Sequence, residues 1–406
     1  MNSLPDLRPL AGVRVIEVSS FVAAPLCGLT LSQLGADVVR IDPVGGAGDR
    51  NRWPVTAAGE SIYWTGLNRG KRSMTCDMRS PEGQRLVQRL ITAPGGGILV
   101  TNAGGRAWLG HATLRELRPD VITVRITGTA DGGAAVDYTV NAATGFPLIT
   151  GPTEHAGPVN HVLPAWDVAT GLYAALAIAA AVRQRELTGL GAEIELPLAD
   201  VALAISGYLG YLTEVQINGA GREATGNAVY GTYGHDFRTA DGVRYMVVAL
   251  TSRHMRDLIR VTDRAAAVQA VEGALGVDFS TDADRYRHRD VLTALFAPWF
   301  AQHTAAEAEA VLRDSSVLWE RYRSFAEVVG SGELDRNPLF SMLDQPRIGT
   351  YLAAGLPAAF GGRHLSAGAA PALGADGAAI VRELLGSAPD DIDDLIARGT
   401  LGAPQQ

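Results

Sequence analysis

The chain has 406 residues, a hydrophobic fraction of 47% and a formal net charge of −8. That length exceeds what one hydrophobic core usually serves, so two domains are expected, and the acidic balance argues against a nucleic-acid surface. Two cysteines, Cys27 and Cys76, define neither a disulfide framework nor a zinc site.

In chain order, the start "MNSLPDLRPLAGVRV" has neither the basic beginning nor the long apolar stretch of a secretion signal. The segment "GVRVIEVSSFVAAPLCGLTLSQLGADVVRIDP" then reads as strand, loop, helix and strand, with the helix ending at Gly35. Such a βαβ unit implies a right-handed crossover in a parallel sheet. Its first turn, "SSFVAAPLCG", lacks G-x-G-x-x-G, and no G-x-x-x-x-G-K-[ST] occurs, so nicotinamide and ATP lose their main support. Next comes "GLNRGKRSM", which carries Lys71. It is the single lysine among 35 Lys and Arg residues, and a compact ammonium differs chemically from a guanidinium. "GILVTN" and "VITVRIT" read as buried strands, with helices at "PEGQRLVQRLI" and "LRELRP". The N-terminal part is therefore expected to be an open α/β domain of Rossmann type.

"NHVLPAWDVATGLYAALAIAAAV" places a carboxylate, Asp167, at the mouth of an alanine-rich helix. It could cap that helix, by accepting its first free N–H groups, or act as a nucleophile or base. The apolar run from Leu172 stops at Arg183, short of the roughly 18 residues of a membrane span, and a soluble cytoplasmic protein is expected. After "RQRELTGLG" a strand at "AEIEL" and a helix from about Ala199 follow. Glycine-rich "NGAGREATGNAVYGTYGHDF" reads as a linker or binding loop, in which Gly226, Asn227 and Gly231 could offer backbone N–H groups to an oxyanion. "VRYMVVAL" and the helical patterns to about residue 330 suggest a smaller domain, before the β-rich "PRIGTYLAAGLPAAF" and an acidic helical tail. The expected boundaries are 1–215 for the large domain, 216–335 for the small one with its linkers, and 336–406 for a returning segment.

Eight histidines show no H-E-x-x-H or other ligand spacing, so no metal is expected, and no G-x-S-x-G elbow supports a serine hydrolase. What remains is carboxylates, with Asp167 best placed, and the cations Arg40, Arg52, Lys71, Arg72 and Arg106.

Four blocks in order, "LAGVRVIEVSSFVAAPLCGLTLSQLGADVVRID", "NRGKRSMTCDMRSPEGQRLV", "WDVATGLYAALAIAAAV" with "ELTGLG", and "APALGADG", resemble the family III CoA-transferases. The resemblance implies a Rossmann-like large domain built from both chain ends, a small α/β domain from the middle, and an interlocked homodimer. It also implies that Asp167 is the nucleophile. Phe21, Val22 and Ala23 would meet the pantetheine arm of CoA, while Lys71, Arg72, Asn102 and Arg106 would meet its adenosine phosphates. CoA would enter as part of the substrate thioester, with no permanently bound cofactor. "RWPVTAAG", "DGGAAVDYTVN" and "VNHVLPAWDVATG" further resemble a subgroup that moves CoA between the two carboxylates of mesaconate. Its dianionic substrate wants a fixed cation, for which His161, Arg40, Arg52 and Arg72 are candidates, with Asp137 also expected near the reacting groups. An intermolecular transferase is the nearer rival. Relatives that racemise 2-methylacyl-CoA esters carry a His immediately before the Asp of "VDY", whereas Val136 stands here. "LGADG" likewise replaces the usual Gly-Glu-His-Thr.

Overall fold

Strand β1 (Arg14–Val18) leads through helix α1 (Ala23–Gln33) into β2 (Asp37–Pro43), which lies parallel to it. The structure, a computed structural model, describes residues 7–155 and 157–404. The chain divides into two units. One takes the residues up to Thr144, His161–Ile217 and those from Glu333 onward; the other takes Gly145–Asn160 and Asn218–Gly332. The excursion Gly145–Asn160 is invisible in the sequence, where it lies inside the segment assigned to the large domain.

In the first unit, α2 (Ile62–Leu67), β3 (Arg72–Cys76), α3 (Pro81–Thr92), β4 (Ile98–Thr101), α4 (His111–Leu117) and β5 (Ile122–Thr127) follow in turn. After α5 (Asp137–Ala143) the short α6 (Phe146–Ile149) belongs to the other unit, and the chain returns with α7 (Ala165–Thr188), β6 (Ala192–Pro197) and α8 (Leu198–Tyr208). All neighbouring strands pair in parallel, in the order β3-β2-β1-β4-β5-β6. This is the doubly wound order in which ligands bind beyond the carboxyl ends of the strands.

The strand β3 escapes sequence reading because "RSMTC" alternates polar and apolar residues yet is buried from Ser73 to Cys76. The returning end of the chain covers its polar groups. Asp376 accepts the Ser73 N–H at 2.8 Å, Gly374 N–H donates to Ser73 Oγ at 2.9 Å, and Gly402 N–H donates to Thr75 O at 2.9 Å. Ile380, Val381 and Leu401 then join Ile16, Val39, Met74, Leu90 and Leu99 in one apolar core. The large domain is thus built from both chain ends.

Helix α7 begins at Ala165, seven residues before the alanine-rich run, and continues past Arg183 to Thr188. At 24 residues it is long and apolar enough to cross a membrane by length and composition, contrary to the expectation from the shorter run. Ala174, Ala175, Ile178, Ala181 and Val182 are nonetheless buried in this fold. The helix packs tightly on α1 because Gly171 lacks a side chain: a Cβ there would stand 2.6 Å from Ala23 O and 3.1 Å from Leu26 Cβ.

The second unit pairs β7 (Tyr233–Arg238), β8 (Arg244–Ala249) and β9 (Leu318–Arg321) antiparallel. Its core joins Tyr233, Phe237, Tyr245, Phe296 and Phe300. The end of the expected glycine-rich loop is therefore strand β7.

Because Gly171 sets the α1–α7 spacing, Gly171→Val should lower stability by about 1–3 kcal/mol through overpacking. The readout is the urea midpoint of the full chain; an unchanged midpoint would show that the helices separate without cost.

Candidate active site

The carboxyl ends of β1, β4, β5 and β6 lead into residues that line a cavity of about 650 Å³, among them Phe21, Asn102, Gly128 and Leu198. Phe21 has a left-handed φ of 67°, unfavourable for a side chain with a Cβ, and so the turn after β1 needs fixing from outside. Its N–H donates to Asp49 Oδ2 at 2.9 Å. Next to it, Asn102 accepts the Ser20 N–H at 3.1 Å and donates Nδ2 to Ser20 O at 2.8 Å. Val22 and Ala23 also line the cavity, at the start of α1, which carries no side-chain cap.

Asp49 is in turn held by a buried ion network. Arg40, 1% exposed, donates Nε and Nη2 to the two oxygens of Asp42, each at 2.9 Å, and Nη2 to Asp49 Oδ1 at 3.1 Å. Lys71 Nζ lies 2.9 Å from Glu17 Oε2 and donates to Asn68 Oδ1 and Pro25 O, each at 2.9 Å. Burial holds the Lys71 ammonium below the usual amine range although Glu17 opposes this, and burial pushes the Asp42 carboxyl up despite Arg40. These placements correct two expectations. Arg40 and Lys71 are buried, ion-paired groups that shape the β1 turn, and neither lines the cavity where a substrate carboxylate would sit.

Arg72 requires a third correction. It opens β3, at the amino edge of the sheet away from the cavity, and pairs with Glu383 at 2.7 Å and Asp37 at 3.5 Å. Arg106 lines a separate hollow of about 480 Å³ with His111, Arg125 and Glu195. Gly226, Asn227 and Gly231 belong to the second unit. There the Gly226 N–H donates to Gly151 O at 3.1 Å and Asn227 Nδ2 to Asp236 Oδ1 at 3.0 Å, so the first N–H is already committed. The replacement "LGADG" has a structural use, since Asp376 and Gly374 bind β3.

Asp167 lies in the cavity wall, at the third position of α7. It does not cap the helix. That task falls to Asp137, whose Oδ2 accepts the N–H of Trp166 at 2.7 Å and of Asp167 itself at 3.2 Å, while Oδ1 meets His161 Nε2 at 3.2 Å. Asp137 is 2% exposed. Burial first, and then the Asp137 charge, push the Asp167 carboxyl up to about 6, partly offset by Arg52. Val136 lines the cavity, whereas His161 stands behind Asp137 and is absent from the lining.

Arg52 also lines the cavity, with its guanidinium 5.6 Å from the Phe21 ring centre and 5.3 Å from that of Tyr63. Sequence reading missed Tyr63, whose hydroxyl is enclosed without a hydrogen-bond partner and is pushed up to about 12 by burial, with Asp167 and Asp49 adding and Arg52 opposing. It also missed Glu17, Asp42 and Asp49, although the alternation of Asp42 with Arg40 along "VVRIDP" and the position of Asp49 after the following glycine turn were usable signals. Among the described residues no cluster of three His, Cys, Asp or Glu side chains is arranged for a metal.

Residues 10–377 match the family model for CoA-transferase family III. The chain belongs to this family. It is 44% identical to the 2-methylfumaryl-CoA isomerase of Chloroflexus aurantiacus over 403 residues, covering 98% of both chains. It is 28% identical to the succinyl-CoA–D-citramalate CoA-transferase of the same organism, covering 98% of this chain and 99% of that one. Among solved structures, a CAIB/BAIF family protein from Brucella suis aligns with a TM-score of 0.77 at 25% identity, covering 93% of this chain and 100% of that one. In this member of the family, Asp167 of the D-x-x-[TS]-G block and the β1 turn meet on one cavity.

Two outcomes follow from the electrostatics. If activity requires the Asp167 carboxylate, it should rise with pH through about 6, and Asp137→Asn, which keeps an acceptor for the helix but removes the charge, should move that limb to lower pH. The same shift has a stability sign: between the ordinary carboxyl range and about 6 the folded chain holds a proton that the unfolded chain releases, so this group's contribution falls as pH rises through that window. A pH–rate profile that Asp137→Asn leaves in place would exclude the coupling. Separately, Lys71→Met strands Glu17 in the interior and should cost about 3–5 kcal/mol of stability. A variant of unchanged denaturation midpoint but weakened CoA binding would restore Lys71 as a contact residue.

Proposed function

We propose that this protein interconverts 2-methylfumaryl-CoA and 3-methylfumaryl-CoA by moving CoA between the two carboxylates of one mesaconate molecule. The reading is carried by Asp167, whose carboxyl is pushed up to about 6, and Arg52 lining one cavity at the carboxyl edge of the sheet. It is supported by the near-complete alignment with the Chloroflexus aurantiacus isomerase.

The Asp167 carboxylate attacks the thioester carbonyl. The C–S bond breaks with its electron pair on sulfur, giving a mixed anhydride and CoA thiolate, a tolerable leaving group because a free thiol has a pKa near about 8.5. Thiolate then attacks Asp167 Cγ and expels the first substrate carboxylate, leaving an aspartyl-CoA thioester. The second carboxylate of the same molecule attacks Asp167 Cγ in turn, and returning thiolate places CoA on that end while freeing Asp167. No proton is consumed. The covalent route divides one exchange into activated steps. Developing oxyanions are met by the positive end of α1, where Val22 and Ala23 line the cavity, while Arg52 on the same cavity is the counter-ion for the free carboxylate of the substrate.

The runner-up, intermolecular transfer to a separate acid, has its support in the 28% identity to the D-citramalate transferase. We also read the protein as a cytoplasmic homodimer without nucleic-acid or membrane partners, interlocked as the family resemblance implies. Exposed Leu172, Leu176, Leu203, Tyr208 and Ile217 in the first unit support an association surface.

Incubating the purified protein with 2-methylfumaryl-CoA and no added acid should give the 3-isomer. Asp167→Asn should lose the rate by several orders of magnitude, and hydroxylamine should mark Asp167 in the working enzyme. Undiminished activity in Asp167→Asn, with no adduct on that peptide, would exclude the mechanism.

A further inference from the structure

Resting on that functional reading, we propose that Arg52 makes the transfer intramolecular: it retains the freed dicarboxylate while CoA rides on Asp167, and the dicarboxylate turns end for end on this one guanidinium.

Of the side chains lining the Asp167 cavity, Arg52 is the only lysine or arginine. No carboxylate forms an ion pair with it among the described residues, whereas neighbouring Arg50 pairs with Glu60 at 3.5 Å. Arg40 and Lys71 are buried and ion-paired away from the cavity lining, and Arg72 lies at the other edge of the sheet. The rings of Phe21 and Tyr63 hold the guanidinium on the cavity wall by cation–π attraction, which leaves its N–H edge for a carboxylate. Its charge is felt at Asp167.

A single cation constrains the order of events. While the thioester carbonyl faces Asp167, the free carboxylate of the substrate is the group for Arg52. Once CoA has passed to Asp167, both carboxylates are free and equal in charge. Completing the isomerisation requires the one on Arg52 to reach Asp167 Cγ, which removes its counter-ion and leaves the other without one. With no second cation in the cavity lining, the molecule must exchange its ends. In a trans-disposed unsaturated dicarboxylate the carboxylates are related by an approximate twofold axis through the double bond, so the turn superposes them and displaces only the methyl group. The wall formed by Gly132, Gly133, Ala134 and Ala135 carries no bulky side chain against that methyl. Retention is thus an ion-pair property: weakening Arg52 lets the acid escape and an outside acid take its place.

The test supplies unlabelled 2-methylfumaryl-CoA with an excess of free 13C-labelled 2-methylfumarate, and measures label per turnover in the thioester pool by mass spectrometry. Wild-type enzyme should isomerise with little uptake. Arg52→Gln should isomerise more slowly, take up at least ten times more label per turnover and, when quenched, show CoA on Asp167 with free acid in solution. Arg52→Lys should restore part of the retention. Because Arg52 is exposed and carries no ion pair, the thermal midpoint should stay at the wild-type value in both variants. The proposal is overturned if wild type takes up label freely, if Arg52→Gln turns over with no more label than wild type, or if it forms no CoA adduct, since Arg52 would then serve the first attack. Failure of the functional reading is separate: wild type would convert no thioester without added acid, and this proposal would fall with it.

Discussion

The Asp137 carboxylate, buried and accepting two N–H groups at the start of α7, sets the conditions for everything at the cavity. A helix start leaves backbone donors unpaired, and the usual remedy is a side chain at the cap position. Pro164 occupies that position here and offers none. Supplying the acceptor from α5 instead leaves the Asp167 side chain free of any capping duty and places a second negative charge behind it. The same interaction that orders the helix therefore adds to burial in making the Asp167 carboxylate harder to ionise. A group that spends part of its time protonated near neutrality is a stronger base and nucleophile once ionised, at the cost of a less stable charged form.

Around this pair the fold separates two uses of charge. Arg40 and Lys71 are charged groups employed as mortar: with Glu17, Asp42 and Asp49 they brace a turn whose Phe21 backbone is strained, and through it the mouth of α1. Arg52 is a charged group left available. A guanidinium is planar and a lysine ammonium compact, and the Lys71 pocket needs three acceptors around a point, which an arginine could not fill in the same space. The one retained lysine thus has a steric reason independent of substrate binding.

Much of this was legible in the sequence. The strands at "RVIEV", "DVVRID", "GILVTN" and "VITVRIT" announce themselves by β-branched residues, and the absence of phosphate-binding glycine motifs survives in a β1 turn built on Phe21, Val22 and Ala23. Asp167 was legible as a candidate, but its alternative reading as a cap was wrong for a tertiary reason, since the capping group lies thirty residues upstream. Strand β3 was hidden because its buried polar residues are satisfied by the far end of the chain, a pairing with no local trace. Lys71 and Arg72 misled for a related reason: a cation in sequence suggests surface, and only the fold reveals that one is enclosed and the other is on the opposite edge.

The burial of Lys71 carries a chemical consequence. Activated acyl groups, such as thioesters and anhydrides, attack exposed amines indiscriminately, and the ε-amine is the commonest victim on a protein surface. This chain holds a single ε-amine, walled in and ion-paired with Glu17. While folded, it presents no lysine to such electrophiles, so the appearance of an acylated lysine would report that the domain had opened.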